Sequence, residues 1–224
     1  MSDEILGRPE TDTCRGRAMQ LLATSFQSME RYEDAMDVYQ SALGVMQRHV
    51  VGMSGEQLQQ HQSNICAVQH KISGALYELG RMDAQLDLLR DLHTRTMMCF
   101  PNSERMYESV VDLSDALCAQ SHFAEAKSLL GRFAPLALET LGHGHIVAFK
   151  LRYNYASAIY MHHFFGYDGY TLDYEIALRM LRRLDKSLHR EVACRPNTND
   201  GDELTDLIDS NESLLAYALD NRLE

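Results

Sequence analysis

The chain is 224 residues long, 45% hydrophobic and 24% charged, and carries a net charge of −11. Its length suffices for a buried core, and its acidic balance excludes a nucleic-acid backbone or an anionic membrane as the main partner, since both need a positive footprint. Five scattered cysteines with no Cys-x-x-Cys pair, no apolar run near the ~18 residues of a membrane span, and an acidic start at Met1-Ser2-Asp3-Glu4 without an apolar signal core point to a reduced, cytoplasmic protein.

Residues 1–14 read as a loose segment, polar and interrupted by Gly7 and Pro9. Helical periodicity begins at Arg15. Met19, Leu22, Ala23 and Phe26 form one apolar stripe, and Ala35, Val38, Tyr39 and Ala42 form the next. Gly52 to Gly55 breaks the pattern. Leu58 to Leu79 is a long helix stopped by Gly80, and Gln85 to Met98 answers it until Phe100-Pro101-Asn102, where Pro101 cannot continue a helix. Tyr107 to Gln120 and Ala124 to Leu141 make a third pair, followed by a break at Gly142 and Gly144. Ala148 to Met161 and Tyr174 to Val192 make a fourth pair, and Leu204 to Leu223 reads as a lone final helix.

A phrase recurs at the turns. Met29-Glu30-Arg31-Tyr32-Glu33-Asp34-Ala35 is repeated at Gln120-Ser121-His122-Phe123-Ala124-Glu125-Ala126, and more loosely at Leu79-Gly80-Arg81-Met82-Asp83-Ala84-Gln85. Small residues where paired helices cross are placed at Ala23, Ser73, Ser114 and Ala156, with spacings of 50, 41 and 42. A self-similar helix–turn–helix unit of this length marks an α-solenoid, because a single short hairpin cannot bury its apolar face without a stacked neighbour.

These residues resemble the tetratricopeptide repeat family. Ala23, Phe26, Tyr32, Ala35, Tyr39 and Ala42 stand at its small and aromatic positions, with Glu30 in place of the turn glycine; Leu117, Phe123, Ala126 and Leu130 fit in the third unit. The spacing of 41 to 42 is longer than the usual ~34 and is similar to the kinesin-light-chain type. Leu141-Gly142-His143-Gly144-His145 matches that type's Leu-Gly-x-x-His-Pro opening, with Ile146 replacing Pro, and Asn154 and Ala156 keep its Asn and Ala. The resemblance implies a right-handed, all-α solenoid, and a ligand-holding role for Asn154. His162 to Asp173 departs from the pattern as a long aromatic- and glycine-rich stretch.

Chemistry finds little support. His143 and His145 are two apart and His162 and His163 adjoin, neither the i,i+4 spacing of helical metal ligands; no nucleophile elbow or phosphate loop is present. Glu108, Asp112 and Asp115, by contrast, share one helical face at i, i+4, i+7. The neighbouring first helix offers Lys150, Tyr153, Asn154, Ser157 and Tyr160, and the second unit adds His70, Lys71, Tyr77 and Glu78. Near the end, Arg179, Arg182, Arg183, Lys186 and Arg190 precede a run of acids from Asp200 to Glu212, which reads as mutual attraction of last repeat and cap, or as a basic surface masked by the cap. Asp206, Asp209, Asn211 and Asp220 suit the cap's solvated side.

The expectation is a loose segment at 1–14, a solenoid of about four hairpins over 15–201 and a capping helix over 202–224. Its function would be non-catalytic: an adaptor or scaffold holding a peptide or helix, with a basic segment, in a groove lined by those twelve residues. No cofactor or metal is expected. Two alternatives are an enzyme or metal-dependent regulator built on His162–Tyr170, and a peptide-sensing regulator.

Overall fold

The computed structural model describes residues 9–48, 53–165, 171–194 and 200–220. Among them the secondary structure is helical throughout: α1 Pro9–Ser28, α2 Tyr32–Arg48, α3 Gly55–Glu78, α4 Met82–Cys99, α5 Glu104–Ala119, α6 Phe123–Leu141, α7 Ile146–Phe164, α8 Thr171–Cys194 and α9 Asp200–Asp220. Consecutive helices pack as the hairpins α1/α2, α3/α4, α5/α6 and α7/α8, and α9 packs on α7 and α8. α1 starts ahead of Arg15, so residues 9–14 are helical rather than loose. Pro9 explains the early start: its ring fixes a helical φ, and the N–H it lacks has no partner in a first turn.

The recurring phrase has one geometric cause. Glu30, Gly80 and Ser121 all take the left-handed conformation, with φ of 59°, 68° and 62°. After each, the next residue's N–H reaches back to the preceding helix: Arg31 to the Phe26 carbonyl, Arg81 to Leu76 and His122 to Leu117, at 2.8–2.9 Å. This is a Schellman closure, which satisfies carbonyls that a helix end leaves orphaned. The unit therefore repeats down to individual hydrogen bonds. The opening of the fourth unit differs: Gly142 has φ 92° and ψ 165°, a region essentially closed to side-chain-bearing residues. His145 then caps α7, its Nδ1 accepting from the Val147 N–H at 3.3 Å.

The crossing residues are where the register puts them. Ala23, Ser114 and Ala156 are fully buried, and Ser73 is 5% exposed. Close helix approach needs small side chains there, and the surrounding aromatics fill what remains. Tyr39 is buried with its hydroxyl bonded to Thr24 Oγ1 at 3.0 Å and Gln27 Oε1 at 3.1 Å, and Tyr107 meets Thr140 Oγ1 at 3.0 Å. Each hydroxyl thus ties the two helices of one hairpin, so the ring is buried without stranding its polar end.

The chain divides into two compact units, Met1–Pro101 and Asn102–Glu224. The first is built on Ala23, Ala35, Met36, Tyr39, Ile65, Val68, Ile72 and Leu76. In the second, α9 contributes Leu204, Leu207 and Ile208 against Phe149, Leu184 and Leu188, and Leu214 and Ala218 against Leu178, Leu181 and Tyr160. Tyr174 donates its hydroxyl proton to the Ala218 carbonyl. One expectation for the cap fails. Asn211 is fully buried rather than solvated, and its Nδ2 donates to the Leu181 carbonyl at 3.3 Å. It lies between the two leucine clusters of α9, where its period places it on the packed face.

Candidate partner-binding face

α5 and α7 are the first helices of adjacent repeats, and they pack side by side. Their shared face carries most of the residues singled out in the sequence. Glu108 and Asp115 are exposed on α5 and Asp112 is half-buried beside them; Lys150, Tyr153 and Ser157 are half-buried on α7. His70, Lys71, Tyr77 and Glu78 are all exposed on one face of α3, in the other compact unit.

The arrangement centres on Asp115. Although the residue keeps an exposed rim, its carboxylate is crowded by α7, and Asn154 Nδ2 donates to its Oδ1 at 2.7 Å. Burial, followed by the negative charge of Asp112, pushes its pKa up to about 6; the Asn154 hydrogen bond and Lys150 pull the other way without prevailing. The same crowding pushes the Cys118 thiol up to about 12, through burial and then Asp115, so that thiol is an inert neutral group. Tyr153 is raised as well, by burial first and by Asp115 next. The face is therefore a half-desolvated acidic patch in which negative charge is costly.

Lys150 is a cation whose charge reaches Asp115, but its ammonium is paired elsewhere. Its Nζ lies 2.6 Å from Glu203 Oε2 on α9. Glu203 thereby joins the face, which sequence reasoning missed: the acids of α9 were read against α8, whereas this one reaches α7. Asn154 is 8% exposed, and its Nδ2 donates both to Ser114 Oγ at 3.0 Å and to Asp115. Its donors thus tie the third repeat to the fourth. Tyr160 does not line the face. It is 1% exposed and packs among Phe164, Tyr174 and Tyr217, because its position on α7 turns it toward α8 and α9.

The alternative site at His162–Tyr170 falls partly outside the described residues. His162 is buried and lies beside a cleft of about 300 Å³ lined by Ser121, His122, Phe123, Ala124 and Glu125. Among the described residues, a group with ligand atoms within 4.8 Å of one another is Asp185, His189 and Glu212, away from that cleft. His189 meets Asp185 Oδ1 through Nδ1 at 3.6 Å and Glu212 Oε1 through Nε2 at 3.5 Å. The carboxylates thus approach different nitrogens of one ring, and its Nδ1 also lies 3.0 Å from the Asp185 backbone carbonyl oxygen, so the imidazole bridges α8 and α9.

Comparison with solved structures places this architecture. A putative kinesin light chain with nearly identical TPR-like repeats from Podosopora anserina superposes with a TM-score of 0.59 at 15% identity, covering 93% of this chain and 98% of that one. The apo form of RapI gives 0.60 at 13% identity, covering 96% and 72%. The chain has the TPR-like fold. BtubC (BKLC) from P. vanneervenii gives 0.55 at 14% identity, covering 92% of this TPR-like chain and 81% of its own. No family model matches the sequence, and no curated protein does. No described helix is long and apolar enough to cross a membrane.

Proposed function

We propose that this TPR-like chain is a non-catalytic adaptor or scaffold of the cytoplasm, and that the α5/α7 face receives a peptide or helix through a basic side chain. The observation that carries the reading is Asp115. An acid held at a pKa of about 6 by burial and by Asp112 is disfavoured in the free protein. A Lys or Arg from a partner would relieve that charge, gaining a partly desolvated, charge-assisted hydrogen bond. Tyr153 and Ser157 supply an apolar edge and a hydroxyl beside it, and Asn154 Oδ1 can accept a backbone N–H from an extended segment. His70, Lys71, Tyr77 and Glu78 offer a mixed surface of the same kind on α3. The TPR-like neighbours support a protein-interaction role in general, and the free Cys66, Cys99, Cys118 and Cys194 fit a reducing compartment.

Fluorescence anisotropy with a labelled Lys/Arg-rich peptide tests the assignment. The triple variant E108Q/D112N/D115N should keep its helical circular dichroism and bind about tenfold more weakly at low ionic strength. Equal binding by parent and variant would refute it.

A further inference from the structure

α8 presents a second charged surface, of opposite sign. Its buried stripe is Ala177, Leu178, Leu181, Leu184 and Leu188, through which it packs on α7 and α9. Its exposed stripe holds Arg179, Arg182, Arg183, Lys186 and Arg190, five of the 21 Lys and Arg residues of a chain whose net charge is −11. Arg179 has a partner in Glu175, one turn back at 3.9 Å. The other four make no ion pair among the described residues. Among the described residues of α9, Glu203 pairs with Lys150 on α7 and Glu212 lies against His189, and no acid of α9 forms an ion pair with those four basic side chains. The cap therefore does not mask the basic surface.

From these observations we infer that the exposed stripe of α8 is a docking surface for an extended acidic protein segment, one with carboxylates at alternate positions. Arg182, Lys186 and Arg190 follow one another at i,i+4, which sets them about 6 Å apart along the helix. Alternate residues of an extended strand lie about 6.6–6.8 Å apart and point to the same side. The two periods match over three consecutive pairs, and Arg183 flanks the row. Like charges at i,i+3 and i,i+4 repel within the helix, at Arg182/Lys186, Arg183/Lys186 and Lys186/Arg190, so each carboxylate that docks also removes a repulsion. Most of the row is arginine, whose planar fork binds a carboxylate in two parallel hydrogen bonds. The stripe is short, and the remainder of the chain is strongly acidic. A long polyanion such as RNA, or a flat anionic bilayer, would meet that repelling field beyond the stripe, whereas a short peptide would not.

The probe is a fluorescein-labelled (Glu-Ser)5 peptide at low ionic strength, with the full chain as receptor. The parent should bind it, the affinity should fall as salt is raised, and R182Q/R183Q/K186Q/R190Q should weaken binding by about tenfold or more, the combined effect of several exposed pairs. All four side chains are exposed, so the variant should keep the parent's circular dichroism and melting temperature. E108Q/D112N/D115N should retain binding, which separates this surface from the α5/α7 face. No binding by the parent, unchanged binding by the arginine–lysine variant, or tighter binding of oligouridylate RNA or phosphatidylserine vesicles would overturn the inference.

Discussion

At the scale of single residues, Asp115 gives the sharpest handle on function. Its folded-state pKa of about 6 lies above the ordinary 3.8. The folded chain therefore binds more protons than the unfolded chain between those values, and stability rises as pH falls from about 6 toward 4. D115N should consequently raise stability at pH 7 by about 1 kcal/mol, a figure discounted for the solvent at the residue's rim, and the gain should vanish below pH 4. The same substitution should weaken binding of a basic peptide, and parental binding should decline as the medium is acidified through pH 6. Thermal melts at several pH values, beside anisotropy titrations, check both signs; a variant less stable at pH 7 would show that the charge is already well compensated. Ala156 tests packing instead. Because it is fully buried where α7 crosses its neighbours, Ala156→Leu should cost ~1–3 kcal/mol through overpacking. A melting temperature equal to the parent's would show room at that crossing.

At the scale of elements, the turns carry a prediction of their own. Glu30 and Ser121 adopt a left-handed conformation that costs a side-chain-bearing residue roughly 1–2 kcal/mol, and the equivalent position in the second repeat is Gly80. Glu30→Gly and Ser121→Gly should each stabilise the chain by about 0.5–1 kcal/mol, once the extra entropy glycine loses on folding is subtracted. Denaturant melts measure it, and a loss of stability in both would mean that the side chains earn their place by contacts. These turns also show why the fold was legible. The aromatic and alanine that follow the first and third turns, and the small crossing residues, are local signals fixed by helix geometry. From the second repeat onward the small crossing residues recur at spacings of 41 and 42, across a turn where Ser121 replaces glycine. Helix starts were less legible: Pro9 looks like a breaker in the sequence, yet it opens α1.

At the scale of the whole chain, local periodicity reached its limit. The acidic triad at Glu108, Asp112 and Asp115 could be read from one helix, but its setting depends on Asn154 and Lys150 of the next repeat, and on Glu203 of α9 beyond. Tyr160 and Asn211 were misjudged for the same reason: residue type favoured an open surface, while packing between repeats took both inside. The dependence of the second unit on α9 can be measured. Leu204, Leu207, Ile208 and Leu214 are nearly buried against α7 and α8. At ~1.5–3 kcal/mol for each side chain removed from water, their gross contribution is comparable to the ~5–15 kcal/mol that separates a folded domain from its unfolded chain. Removing them would also bare Phe149, Leu184 and Leu188. A chain ended at Cys194 should therefore melt far below the parent, or fail to give a cooperative transition, and should bind a hydrophobic dye that the parent excludes. The contrast with surface changes makes the test specific, since loss of the single Lys150–Glu203 pair by E203Q should shift stability by no more than about 1 kcal/mol. If the truncated chain melted cooperatively within a few degrees of the parent, α7 and α8 would be able to close the solenoid alone, and α9 would be an accessory to the binding face rather than the cap that completes its core.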